Sequence, residues 1–157
     1  MGLRVDKLGP HNAATALRLA TKVVSSLRGI YSKEAIAGEI EPLNWSRLHN
    51  PDYLDLVLFR DSRCVGFCFC EIEGGVAFLR WLGVEPAELG TGAARYLFED
   101  LLRKCRNLGV RKVWFDTNAA NVRAINFFES YGCAKFGTVE DFWYGHSYHF
   151  WEKRLSE

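Results

Sequence analysis

The chain of 157 residues predicts a single α/β domain over 1–157, with a mixed central sheet of about six to seven strands flanked by about four helices. Three observations lead there. Apolar residues recur with period two through three consecutive segments between 54 and 84, the signature of half-buried strands. The period then becomes helical: Ala94, Leu97, Phe98, Leu101, Leu102, Cys105 and Leu108 share one stripe at three- and four-residue spacing. Strand-like and helical segments alternate from there on, which builds a layered sheet-and-helix domain.

Residues 3–8 alternate apolar and charged and open as a strand, closed by Gly9-Pro10. Asn12 is placed to cap a helix running to about Ser26, with Ala16, Leu19, Ala20, Val23 and Leu27 on one face. Ser32 caps a shorter helix over 32–40. Residues 41–53 hold two prolines and two asparagines and read as a loop. Strands follow at Leu54–Arg60, Cys64–Glu73 and Val76–Val84. Gly74-Gly75 between the last two suits a two-residue hairpin turn, which sets Glu73 opposite Val76 and Glu71 opposite Phe78. The amphipathic helix ends in Arg103, Lys104 and Arg106, then Gly109, the charge and cap that suit a C-terminus. Val110–Thr117 is the next strand. Asn121 caps a short helix carrying Ala124, Phe127, Phe128 and Tyr131, which Gly132 stops. Two strands at about 133–139 and 147–155 complete the order.

Composition narrows the function classes. Hydrophobic residues make up 48% and charged residues 25%, ordinary globular usage. Twenty Lys+Arg against nineteen Asp+Glu give a formal net charge of +1, so no broad field for nucleic acid or an anionic membrane is expected. No apolar run is long enough for a transmembrane helix, and the first residues lack the apolar stretch of a signal peptide. A cytoplasmic setting is expected. Five cysteines at irregular spacing read as small buried hydrophobes in a reducing compartment. Neither they nor the histidines at 11, 49, 146 and 149 show metal-ligand spacing, so no metal site is expected.

The chemistry concentrates at Leu82-Gly83-Val84-Glu85-Pro86-Ala87-Glu88-Leu89-Gly90-Thr91-Gly92-Ala93-Ala94. A strand ends, a loop with two glycines follows, and the long helix begins. Such a loop presents backbone N–H groups to an anion, and the helix N-terminus adds roughly half a positive charge. Gly90 and Gly92 permit positive φ and close approach of a ligand. A dinucleotide fingerprint does not fit, because Arg95 stands where the third glycine belongs. A P-loop does not fit either, since no Gly-Lys-Ser/Thr follows.

The segment resembles motif A of the GNAT superfamily, the acetyl-CoA-dependent N-acetyltransferases, whose L-x-V-x-P strand end runs into Q/R-x-x-G-x-G/A. Residues Asn121 to Gly132 are similar to that family's N-x-x-A-x-x-F-Y-x-x-x-G stretch, and one helix and one strand separate the two blocks. The resemblance implies a GNAT-like fold and acetyl-CoA as cosubstrate. It implies that Leu82, Gly83 and Val84 meet the pantetheine arm in a splayed gap between strands. The amides of Leu89, Gly90, Thr91, Gly92, Ala93 and Ala94 would hold the pyrophosphate. Asn121 and Phe128 would also lie against the cofactor. Two positions depart from the pattern. Ala87 stands where the family has Gln or Arg. Phe128 stands where many members carry a tyrosine, usually read as the acid that protonates the leaving thiolate.

The expected reaction is direct transfer of acetyl to a primary amine of a small molecule or peptide. A lysine-like amine with a pKa near 10.4 costs roughly 4–5 kcal/mol to hold neutral at pH 7, so a base is needed. Some family members place a glutamate at the position of Phe78. Glu71, opposite it, is therefore the first candidate base, ahead of Glu73 and Asp116. Tyr131 and, behind it, Tyr144 are the candidate acids in place of Phe128. The aromatic run Phe142–Tyr148 is expected to divide among core, pocket wall and a homodimer contact. Phe128 also motivates an alternative, a catalytically degenerate acyl-CoA-binding sensor or interaction module.

Overall fold

A computed structural model describes residues 2–155. The chain runs β1 (Leu3–Lys7), α1 (Ala13–Ser25), α2 (Lys33–Ile40), β2 (Leu56–Arg60), β3 (Arg63–Glu73), β4 (Val76–Val84), α3 (Ala93–Asn107), β5 (Lys112–Asn118), α4 (Val122–Ser130), β6 (Ala134–Val139) and β7 (Tyr148–Arg154). The strands form one seven-stranded sheet in the order β1-β2-β3-β4-β5-β7-β6. Only β4 and β5 are parallel, because α3 carries the chain back across the sheet between them. No helix among the described residues is long and apolar enough to cross a membrane.

Alternation along β3 divides its side chains between two cores. Cys68 and Cys70 join Leu97, Phe98, Leu101 and Cys105 of α3 on one face. Phe67 and Phe69 join Ala13, Ala16, Leu17 and Ala20 of α1 on the other. Four of the five cysteines are buried and none is in a disulfide. Gly83 is a packing glycine as well as a backbone one: a Cβ there would stand 2.6 Å from the Phe67 ring. The Gly74-Gly75 turn has positive φ at both residues, and it fixes the expected register, Glu73 opposite Val76 and Glu71 opposite Phe78.

Two local expectations need correction. Asn12 does not cap α1 with its side chain. Its Oδ1 instead accepts from the Gly9 amide and its Nδ2 donates to the Lys7 carbonyl, tying the turn before the helix. The segment 41–53 is not all loop. Asn44 caps a 3-10 turn over Trp45–His49, and that turn buries Arg47 to 4% exposure. Arg47 makes a paired contact to Asp55 at 2.7 and 2.8 Å. It also donates to Glu71 at 3.0 Å, and its guanidinium lies over the Tyr53 and Phe69 rings. Replacing Arg47 with alanine strands the buried Asp55 carboxylate. The expected cost is about 3–5 kcal/mol of stability, read as a fall in the urea midpoint.

Candidate active site

The loop between β4 and α3 is built around Glu88, which is buried. Its carboxylate pairs with Arg60 at 2.8 Å and accepts from the Thr91 hydroxyl. That hydroxyl also donates to the Glu88 carbonyl at 2.7 Å. These contacts hold the turn so that Gly90 (φ 80°) and Gly92 (φ 90°) take the left-handed conformation. A Cβ on either would meet no protein atom within 4 Å, so the space beside them is open to a ligand. The amides of Leu89, Thr91 and Ala93 are engaged inside the loop, by the Pro86 carbonyl, the Glu88 carbonyl and the Thr91 hydroxyl. Those of Gly90, Gly92, Ala94 and Arg95 donate to no acceptor among the described residues. The main-chain donors available to an anion are thus every second amide of the loop and the first turn of α3. The sequence reading had taken all of Leu89–Ala94 together.

β4 and β5 pair only from Val76↔Lys112 to Phe78↔Trp114. Beyond Phe78 the two strands diverge, while β4 stays paired to β3 as far as Val84. The β5-facing edge of β4 from Leu79 to Val84, which includes Leu82 and Gly83, is therefore open to another extended chain. A β-bulge between Phe69 and Cys70 in the β3–β4 pairing leaves Arg80 as the extra residue. The gap widens into a cavity of about 220 Å³ bordered by Leu82, Asp116, Asn121, Phe128, Glu39 and Tyr148, among others. Asn121 caps α4 through the Ala124 amide at 3.3 Å and borders the cavity at the same time. Phe128 closes it from α4, its ring 4.1 Å from that of Phe115.

The structure does not bring Glu71 or Tyr131 to the cavity. Glu71 faces the arginines on the other side of the bulge: Arg80 donates to both its oxygens and Arg47 to one. Burial alone would raise its pKa, but the hydrogen bonds from Arg80 and Arg47 outweigh it and hold the carboxyl below its ordinary value. A carboxylate stabilised in this way is a weak base. The Tyr131 hydroxyl donates to the Arg95 carbonyl at 3.3 Å and its ring packs on Phe98, on the outer side of α4. Tyr144 is exposed and presses on α2, where a Cβ at Gly38 would come within 2.9 Å of its ring.

Three groups do reach the cavity. Asp116 sits on β5 where the strands part. Burial, and after it the charge of Glu39, push its pKa up to about 6, with Arg80 opposing. Glu39, on α2, accepts from the Trp81 indole N–H at 2.9 Å, and burial raises its pKa too. Tyr148 is 2% exposed; its buried hydroxyl lies beside the Asn118 side-chain amide, the two short of good hydrogen-bond geometry. In the sequence Asp116 stands behind Glu71, and Tyr148 ends the aromatic run expected to supply part of a pocket wall; Glu39 was no candidate. The alternation of β5 and β7 carried a signal for Tyr148. It stands opposite Asn118, two residues along β5 from Asp116 and hence on the same face. Glu39 had no signal, because a lone carboxylate in a short helix reads as solvated.

Comparisons with known proteins bear on a loop with free amides at a helix N-terminus beside a split between parallel strands. Residues 22–133 match the model of the acetyltransferase (GNAT) family. The chain belongs to that family. It is 32% identical over 80 residues to the [ribosomal protein bS18]-alanine N-acetyltransferase of Salmonella typhimurium, an alignment that covers 51% of this chain and 54% of that one. It therefore spans about half the length of the curated relatives it matches. Among solved structures, the PaiA N-acetyltransferase of Thermoplasma acidophilum in complex with coenzyme A superposes with a TM-score of 0.82 at 22% identity, over 98% of this chain and 99% of that one. The ribosomal-protein-S18-alanine N-acetyltransferase of Escherichia coli does so with a TM-score of 0.74 at 18% identity, over 99% and 95%.

Proposed function

We propose that the protein is an N-acetyltransferase that moves acetyl from acetyl-CoA to a primary amine by direct attack, with Asp116 as the general base. The observation that carries the reading is a raised carboxyl at the fork between β4 and β5, next to a loop whose amides at Gly90, Gly92, Ala94 and Arg95 are free. Those amides and the α3 N-terminus fit a pyrophosphate, and the open edge of β4 fits an extended amide-bearing arm. When bound, acetyl-CoA supplies the thioester whose C–S bond breaks as the amine nitrogen forms the new C–N bond. Asp116 takes the ammonium proton and so frees the nitrogen lone pair for attack; the proton that the nitrogen sheds once the C–N bond has formed passes to water. The Tyr148 hydroxyl supplies a proton to the departing sulfur, the part that Phe128 lacks the hydroxyl to play.

The acceptor is a small-molecule or peptide amine. The relatives' names, which specify a ribosomal-protein alanine, put peptide N-termini beside polyamines, aminoglycosides and amino acids in the test panel. Coenzyme A release with acetyl-CoA and that panel is the experiment: turnover of at least one amine supports the reading. Phe128 favours a second reading, an acyl-CoA-binding module without transfer. It predicts thermal stabilisation by acetyl-CoA and no coenzyme A release with any amine.

Tyr148→Phe tests that proton-donor role. The fold should be kept, since the buried hydroxyl makes no hydrogen bond of good geometry. The transfer rate should fall about 10-fold or more if the hydroxyl is the proton donor, with acetyl-CoA affinity unchanged. Single-turnover kinetics beside calorimetry checks both.

A further inference from the structure

The cavity holds two carboxylates, Glu39 and Asp116, with no direct ion pair among the described residues; the charge of Arg80 reaches both of them only at a distance. The one basic side chain on the cavity wall is Arg80, and its guanidinium is bound to Glu71 on the far side of the bulge. Half-buried carboxylates call for a positive partner. The walls around them are rich in aromatic side chains, Tyr31, Trp81, Phe142, Trp143 and Tyr148 among them, a lining suited to a cation. The Tyr148 hydroxyl, buried on the same wall beside the Asn118 amide and without a hydrogen bond of good geometry, adds a polar group that a ligand can use.

The wall on the Glu39 side is held firmly. His146 accepts from the Ser32 amide at 3.0 Å, and Tyr144 and Trp143 sit so close to Gly38 that a Cβ would not fit. Glu39, the next residue, is thereby fixed at the mouth between α2 and the aromatic segment, with its carboxylate oriented by Trp81. A carboxylate on the acceptor would meet Glu39 and Asp116 and find no free guanidinium or ammonium on the wall.

We propose that Glu39 is the acceptor-recognition residue, selecting amines that arrive as cations with no carboxylate on the carbon that bears the nitrogen. Alkylamines, amino-acid amides and peptide N-termini belong to this class; free α-amino acids are refused. The proposal rests on the acetyltransferase reading for its purpose, but the recognition is measurable without transfer.

L-alaninamide and L-alanine differ only in that carboxylate. Each is titrated by calorimetry into the full-length protein saturated with coenzyme A at pH 7. The wild type is expected to bind the amide at least about tenfold more tightly. Glu39→Gln should bring the two within about threefold, and Glu39→Asp should keep most of the preference. Coenzyme A affinity is expected to be equal in all three proteins, which certifies their fold. Equal binding of the two ligands by the wild type, no binding of the amide, or an undiminished preference in Glu39→Gln would each overturn the proposal. A parallel coenzyme A release assay with acetyl-CoA and L-alaninamide keeps the two readings apart. Preference without release retires the transfer reading and leaves Glu39's role standing, and release without preference does the reverse.

Discussion

Asp116→Asn is expected to lower kcat/KM about 10²–10³-fold near neutral pH, the usual scale for losing a positioned base. The loss should shrink at high pH, where the acceptor amine gives up its proton unaided. In the wild type the acidic limb of kcat/KM should fall away as pH drops through about 6, the value to which burial and Glu39 raise this carboxyl. Asp116 acts only when deprotonated, so activity is present above that value and lost below it. Stability should move in the opposite sense. A carboxyl whose folded pKa lies above the ordinary value of 3.8 is one whose ionisation the fold resists. Its contribution is favourable below 3.8 and is lost as pH rises through about 6. Asp116→Asn removes that penalty. The variant should be more stable than the wild type at pH 8, by on the order of 2–3 kcal/mol, and no more stable at pH 3.5. Denaturant titrations at the two pH values check this. A less active, more stable variant is the pattern of a functional residue held against its own solvation. Glu71→Gln should show neither effect on the acidic limb, because Arg80 and Arg47 already hold Glu71 ionised far below neutral pH.

Gly90→Val carries the second large effect. At φ 80° a β-branched residue is strained by about 1–3 kcal/mol, and its side chain occupies the open space beside the free amides of the loop. Acetyl-CoA affinity is expected to fall at least about 100-fold, near 3 kcal/mol. Gly109→Val is the control. Gly109 has φ 76° and likewise no atom within 4 Å of a built Cβ, but it follows α3 at the opposite end from the loop. It should lose similar stability and keep its cofactor affinity. Calorimetric titration of both variants, with thermal melts, separates strain from obstruction.

Much of this was legible in the residues. α3 followed from a stripe that no strand could carry, and its capping loop followed from Gly90 and Gly92, whose positive φ the chain requires. The Gly74-Gly75 turn fixed the β3–β4 register over its first four pairs. What stayed hidden depends on partners far apart in sequence. Arg47 lies in a Pro- and Asn-rich stretch that reads as solvent-exposed, and only the arrival of Asp55 and Glu71 makes its burial tolerable. The same network decided between the carboxylates. Glu71 and Asp116 are both strand acids, on β3 and β5, and nothing local ranks them. The bulge frees Arg80 to reach Glu71, whereas α2 sets Glu39 near Asp116. One carboxyl is thereby lowered and the other raised, through long-range contacts that no periodicity encodes. Tyr131 is a related case: its helical stripe was legible, but the side chain lies against Phe98 and the Arg95 carbonyl rather than on the cavity wall.

Cofactor binding depends on the main chain at the start of α3. Backbone amide shifts of the 15N-labelled protein, followed by NMR as coenzyme A is added, test it most directly. The largest changes should fall on Gly90, Gly92, Ala94 and Arg95, with smaller ones along Leu79–Val84. Saturation of the protein with those amides unmoved, and the shifts gathered elsewhere on the sheet, would contradict it.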